Sequence, residues 1–182
     1  MVRSQVRDSV TDISRRKRPM KESITSAVRR LYFDAGHRVL GHQGQCASVH
    51  GHGYKVFVHA EAPKLDELGM VIDFGILKKL IGDWIDTHWD HAMLLYIKDK
   101  ELVEIFERNL REHKIYVCSF NPTAENMAEY LLNSVCPRVL NGTNVRITKV
   151  VVWETENCYA EAQLTAPRLT VEQIDQFLAD PK

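Results

Sequence analysis

The sequence predicts one α+β domain with four strands and several amphipathic helices. Apolar-alternating runs at residues 23–37 and about 50–61 flank a glycine-bearing loop. A second alternating pair, residues 145–154 and 159–164, reads as a hairpin turning at Asn157. Between the pairs, residues 74–88 and a segment opening at Asn121 carry helical apolar stripes. The 182 residues, 45% hydrophobic and 26% charged, suffice for one domain with a substantial core.

Charge is unevenly spread. Residues 1–30 carry nine Lys/Arg against three Asp/Glu, a net of +6, and the remainder fifteen against twenty-one, a net of −6. Residues 1–22, with Arg15-Arg16-Lys17-Arg18-Pro19, read as a flexible basic extension before a domain at 23–182. A formal net charge of zero gives no reason to expect nucleic-acid binding. No apolar stretch is long enough to span a membrane, and the N-terminus lacks the apolar core of a signal peptide. The four scattered cysteines show no paired spacing, so a reducing, cytoplasmic setting is expected.

In the first strand, Ile24, Val28, Leu31, Tyr32 and Phe33 lead to His37. The second carries Tyr54, Val56 and Val58 on alternate positions, with His59 on the face opposite His52. Asp73 suits the N-cap of the first helix, whose stripe is Ile76, Leu77, Leu80, Ile81, Trp84 and Ile85. That stripe is core packing, and Asp73 reads as a cap rather than a catalyst. Asp99 caps a shorter helix to about residue 112, and residues 115–118 form a brief extended run. Asn121 is placed to cap the next helix, with Pro122 in its first turn and Glu125 at the positive end of its dipole. Its buried side is Met127, Leu131, Leu132 and Val135; Pro137 and Asn141-Gly142 end it. In the third strand Val145, Ile147, Lys149, Val151 and Trp153 share a face, and the strand delivers Glu154. Thr170-Val171-Glu172-Gln173 has a capping-box pattern and starts an extra C-terminal helix to about 179.

The chemistry concentrates between residues 37 and 52. Four of the eight histidines and one of the four cysteines fall there. In His50-Gly51-His52, residues two apart on a strand share a face, so both imidazoles reach one ion. His37 supplies a third nitrogen across the hairpin. Three histidines with no fourth protein ligand leave an open position, the mark of a catalytic rather than a structural zinc. Cys46 is either a fourth ligand closing the site or a nucleophile or base beside it. His42 reads as a non-ligand. Cys118, Cys136 and Cys158 read as buried or incidental thiols. Asp90-His91, just past the first helix, matters only if brought near Cys46.

In order, the motifs are Phe33-Asp34-Ala35-Gly36-His37-Arg38, Cys46-x-x-x-His50-Gly51-His52, Val71-Ile72-Asp73-Phe74, Asp90-His91, Pro122-Thr123-Ala124-Glu125-Asn126 and Trp153-Glu154-Thr155. In this order they resemble the 6-pyruvoyl-tetrahydropterin synthase family over about residues 24–163. Three residues between Cys46 and His50 resemble the carboxy branch, which serves bacterial queuosine synthesis; the pyruvoyl branch typically has five.

The resemblance implies the tunnelling fold: a four-stranded antiparallel sheet with two helices on one face, three subunits closing a barrel and two trimers forming a homo-hexamer. It implies zinc on His37, His50 and His52, Cys46 as general base, and Asp90 and His91 as a proton-handling pair. It also implies Glu154 as the pterin anchor, with Thr123 and Glu125 near the ring. The implied substrate is 7,8-dihydroneopterin triphosphate, and the active sites lie between subunits. The alternatives are a 6-pyruvoyl product or a catalytically silent zinc- or pterin-binding protein.

Overall fold

The computed structural model describes residues 24–165; the basic extension at 1–22 and the helix expected at 170–179 lie outside the described residues. Two long strands form the centre. Strand β1 (Ser26–His37) and strand β2 (His50–Glu61) pair antiparallel, from Ser26 opposite Glu61 to His37 opposite His50. Strands β3 (Ala92–Tyr96), β4 (Ile115–Cys118), β5 (Arg146–Trp153) and β6 (Tyr159–Gln163) complete the sheet in the order β4-β3-β1-β2-β5-β6.

The sheet therefore has six strands, not four, and it is mixed. The expected antiparallel set is present as β1, β2, β5 and β6, while β3 joins β1 and β4 in parallel. Residues 92–96 escape a period-two reading because the run Ala-Met-Leu-Leu-Tyr does not alternate. It is covered on both faces: Leu94 lies in the main core and Leu95 in a second cluster, and neither is exposed.

Helix α1 comprises Phe74–Leu77, a π turn at Lys78–Gly82, and Asp83–His88. Asp73 caps it as expected, accepting the Gly75 N–H at 2.6 Å. Leu77, Ile81 and Ile85, at four-residue spacing, are fully buried. Helix α2 spans Lys100–Asn109 behind the Asp99 cap, shorter than the expected end at 112.

Helix α3 comprises Ala124–Tyr130, a π turn at Leu131–Val135, and Cys136–Val139. Its cap is Thr123, not Asn121, with Oγ1 accepting the Asn126 N–H at 3.3 Å. Pro122 thus precedes the cap instead of filling the first turn. Pro137 lies inside the helix rather than ending it. Proline has no N–H to give, and the π turn before it sits where the regular ladder would clash with the ring. The chain turns away after Leu140, with Gly142 at φ 88°.

Helices α1 and α3 pack on one face of the sheet, sharing a core with Phe33, Tyr54, Val56, Val58, Val150 and Val152. Helix α2 packs Leu102 and Phe106 on Leu95, the opposite face of β3.

A bulge in β5 corrects the expected face of that strand. Lys149 pairs with His59 and Ile147 with Ala60, leaving Thr148 as an extra residue. The core face is therefore Val145 and Ile147 before the bulge and Val150 and Val152 after it; Lys149 and Trp153 are only partly buried. Glu154 continues the phase of Val150 and Val152, so the bulge turns it toward the core face.

The Leu95 cluster sets an expectation for stability. Leu95→Ala should cost about 2–5 kcal/mol in urea unfolding, the range of buried leucine truncations. A cost below about 1 kcal/mol would show that α2 contributes little to the fold.

Candidate metal centre and proton-handling groups

The β1–β2 register places His37 opposite His50 and Ala35 opposite His52. His37, His50 and His52 therefore project from one face. A ring nitrogen from each comes together, all within 4.8 Å of one another. The His37 Nδ1–H donates to the Pro122 carbonyl at 2.6 Å, and the His50 Nδ1–H to the Ser48 carbonyl at 2.8 Å. Each bond leaves Nε2 as the acceptor nitrogen, the tautomer a metal needs. The Nε2 atoms of His37 and His52 are buried and have no hydrogen-bond partner. A buried polar atom left unpaired costs about 1–3 kcal/mol, so an occupant is called for.

Electrostatics favours neutral rings. Burial, the largest influence, lowers the pKa of His37 and of His52 below 6.5, against smaller opposing effects that include Glu154. Neutral imidazole is the ligating form. The donor set thus fits a borderline divalent metal.

Glu154 Oε1 lies 3.5 Å from His37 Nε2 and 3.8 Å from His52 Nε2. This puts a carboxylate at the rim of the cluster. Tyr54, two residues past His52 and so on the same face, has a fully buried hydroxyl without a partner. Its ring centroid is 5.6 Å from that of His52 and 6.0 Å from that of His37. Burial first, then Glu154 and Cys46, push its pKa far above the ordinary value. In the sequence Tyr54 stands out only as an alternating position of the second strand; its place at i+2 from His52 is the signal that marks it.

Cys46 is a free, half-buried thiol on a 3₁₀ turn, Gln45–Ala47. Its carbonyl accepts the Val39 N–H at 2.7 Å. The base of this loop is tied to the start of α3: Asn121 Oδ1 accepts the Leu40 N–H, and Asn121 Nδ2 donates to the Leu40 carbonyl, both at 2.9 Å. His42 stands apart from the metal group, with Nδ1 accepting the Gly44 N–H at 2.9 Å.

Asp90 and His91 occupy the turn between α1 and β3. The His91 Nδ1–H donates to Asp90 Oδ2 at 2.7 Å, and Asp90 Oδ1 accepts the Asp34 N–H at 3.0 Å. Burial, the largest influence, acts to raise the Asp90 pKa, but the Asp34 amide, His91 and Lys114 together hold it below 3.8. His91 has φ 56°, and its N–H donates to the Asp34 carbonyl at 2.7 Å. His91 and His52 both line an open cleft of about 690 Å³, walled also by Met93, Phe106, His113 and Lys114. Cys46 does not line it.

The remaining expected residues lie elsewhere. Thr123 is the α3 cap. Glu125 is exposed in the first turn of α3 and borders a separate cleft with Glu161 and Gln163. Cys118 and Cys136 are buried thiols, each pushed up to about 12 by burial, and Cys158 is exposed.

Comparison with known proteins shows what the chain is similar to. A family model described as 6-pyruvoyl tetrahydropterin synthase matches residues 26–164. A Rickettsia felis protein named 6-carboxy-5,6,7,8-tetrahydropterin synthase is 44% identical over 133 residues, covering 73% of this chain and 96% of its own. A Helicobacter pylori J99 protein of the same name is 38% identical over 148 residues, covering 75% of this chain and 72% of its own. Among solved structures, a Caenorhabditis elegans 6-pyruvoyl tetrahydropterin synthase is 26% identical with a TM-score of 0.55, covering 79% of this chain and 97% of its own. An uncharacterised Wolinella succinogenes protein, 24% identical, shares the fold with a TM-score of 0.68, covering 78% of this chain and 99% of its own. Among the described residues, no helix is long and apolar enough to cross a membrane.

The ion pair that anchors Arg38, next to His37, sets a pH expectation. Arg38 Nε and Nη2 both donate to the Asp99 carboxylate at 2.5 Å. The hydrogen bonds from Arg38 lower the Asp99 pKa below 3.8. A depressed carboxylate stabilises the fold above its unfolded pKa, and that stability is lost as pH falls through the folded value. The Tm deficit of Asp99→Asn should therefore be largest near neutrality and shrink below about pH 4. A deficit independent of pH would remove the ion pair as its cause.

Proposed function

The chain belongs to the 6-pyruvoyl tetrahydropterin synthase family, and from that premise we propose that it is a zinc-dependent lyase, a 6-carboxy-5,6,7,8-tetrahydropterin synthase. It converts 7,8-dihydroneopterin triphosphate and water to 6-carboxy-5,6,7,8-tetrahydropterin, acetaldehyde and triphosphate. The convergence of three histidines carries this reading, with the buried Nε2 atoms of His37 and His52 left without a partner beside Glu154. The branch rests on the relatives named carboxy synthases and on the three residues between Cys46 and His50. The product feeds queuosine or another 7-deazaguanine, and the four free thiols suit a cytoplasmic setting.

Zinc held by His37, His50 and His52 would polarise the hydroxyls of the substrate side chain and stabilise negative charge developing beside them. Cys46, as thiolate, takes a carbon-bound proton from that side chain. His91 exchanges protons on the other side of the reacting carbons, held in one tautomer by the 2.7 Å bond to Asp90. Glu154 accepts two hydrogen bonds from the pterin 2-amino group and N3, fixing the ring. Thr123 and Glu125 are proposed near the ring from the family resemblance alone; in the described chain Thr123 caps α3 and Glu125 borders a separate cleft. One water enters per turnover, and no external oxidant is needed. The carbon that becomes the carboxylate is oxidised, while the ring and the departing two-carbon unit are reduced.

The working form is a hexamer of two stacked trimers, with Cys46 and the Asp90–His91 pair of one site contributed by different subunits.

Zinc-loaded protein incubated with 7,8-dihydroneopterin triphosphate should yield the 6-carboxy pterin by mass, with acetaldehyde released. A 6-pyruvoyl product would assign the chain to the other branch. Cys46→Ala should lower kcat by about 10²–10⁴-fold, the range for a lost general base, with bound zinc unchanged. Glu154→Gln should act mainly on KM, because it touches the ring and not the reacting carbons.

A further inference from the structure

The excursion from Asp99 to Lys114, which contains α2, lies between β3 and β4 and contributes none of the residues assigned above. Its two ends nevertheless reach both halves of the site. At its start, Asp99 is 3% exposed and grips Arg38, the residue after His37, through the two 2.5 Å bonds. The same Asp99 caps α2 through the Leu102 N–H at 3.3 Å. At its end, Lys114 Nζ donates to the Asp86 and Asp90 carbonyls, both at 2.7 Å. Asp86 is in the last turn of α1, where carbonyls lack helix partners and a cation is favoured. The Asp90 carbonyl belongs to the peptide that leads into His91, the one described non-glycine residue with positive φ. That backbone state is costly for histidine and persists only where the surroundings hold it. Between the two ends, Phe106, Leu110 and His113 wall the cleft onto which His52 and His91 open.

We propose that the Asp99–Lys114 excursion is a brace on the active site, with Lys114 the positioning residue for the Asp90–His91 pair and Asp99 the positioning residue for His37. Asp99 lies outside the cleft, and Lys114 walls it with Nζ committed to the Asp86 and Asp90 carbonyls. Lys114 locks the turn that aims His91, and Asp99 fixes Arg38, so that the end of β1 holds His37 at its place in the ligand set. The rigid link between them is α2, seated on β3 through Leu102, Phe106 and Leu95. The two grips act on different parts of the chemistry and separate by mutation.

The catalytic roles rest on the proposed synthase function, so the test reads geometry as well as turnover. Lys114→Met, Lys114→Arg and Asp99→Asn are made in the full chain. Asparagine still caps a helix, so Asp99→Asn keeps α2 while removing the charge that holds Arg38. Two readings need no substrate: zinc affinity by chelator competition, and the His91 side-chain 15N and 1H signals, in which an Nδ1–H donated to Asp90 is shifted downfield. Lys114→Met should lose the hydrogen-bonded His91 signal, retain zinc affinity, and lower kcat about tenfold with KM little changed. Lys114→Arg should restore both the signal and kcat. Asp99→Asn should do the reverse, weakening zinc about tenfold while leaving the His91 signal in place. Unchanged His91 signals in Lys114→Met, or unchanged zinc affinity in Asp99→Asn, overturn the brace. Equal losses of both readings in both variants, tracking Tm, also overturn it in favour of general destabilisation. Wild-type protein with no pterin turnover refutes the synthase reading alone, because the two substrate-free readings still decide the brace.

Discussion

The pairing of β1 with β2, with His37 directly opposite His50, is the constraint on which the site depends. Side chains alternate faces along a strand, so a slip of one residue would carry His50 and His52 to the far side of the sheet. Buried pairs enforce the register. Phe33 lies opposite Tyr54 with their rings stacked at 4.9 Å, and Leu31 lies opposite Val56. Gly51 allows the close approach of the strands at the histidine cluster: a Cβ there would sit 3.1 Å from the Ala35 carbonyl oxygen. The one residue between His50 and His52 is therefore small for a steric reason, and the histidines share a face for a geometric one.

A second layer fixes the rings that the register brings together. The Pro122 carbonyl takes the His37 Nδ1–H, and Asn121, one residue earlier, holds Leu40 at the base of the Cys46 loop. Asn126 Nδ2 donates to the Asn121 carbonyl at 2.9 Å, and Thr123 caps the helix that follows. The start of α3 is thus both a helix cap and a buttress for a ligand and a loop. Since α3 itself is buried through Met127, Leu131 and Val135, core packing transmits directly to the orientation of His37.

What the sequence made legible follows the range of the interactions involved. The shared face of His50 and His52 is a two-residue property, and the α1 cap at Asp73 and the α2 cap at Asp99 are local signals; all of these were readable. β3 was not, because a strand covered on both sides has no alternation to detect. The β5 face was misjudged for a related reason: one extra residue, Thr148, shifts the phase of everything after it, and a bulge leaves no pattern of its own. The cap of α3 fell on Thr123 because Asn121 and Thr123 both suit an N-cap, and the Asn121 side chain is taken up by Leu40. Asn121 and Lys114 were invisible as site residues. Asn121 reaches Leu40 across 81 positions and Lys114 reaches Asp90 across 24, and no spacing rule covers either.

The groups that would act together are held with unequal firmness, and the differences follow their tasks. His37 is 1% exposed, set in the central strand and fixed at Nδ1, as a ligand must be if a metal is to keep its geometry. The His91 side chain is 75% exposed and lies on a turn, which suits the proton exchange proposed for it. An exposed ring on a turn loses aim easily, and the structure answers with three anchors on the same few atoms: the Asp34 carbonyl on the His91 N–H, Asp90 on its Nδ1, and Lys114 on the peptide before it. Cys46 has the lightest hold, a 3₁₀ turn tied at its base by Asn121. Such a mounting suits the general-base role proposed for Cys46, because the last adjustment can be made by the loop while the sheet and the three histidines stay fixed.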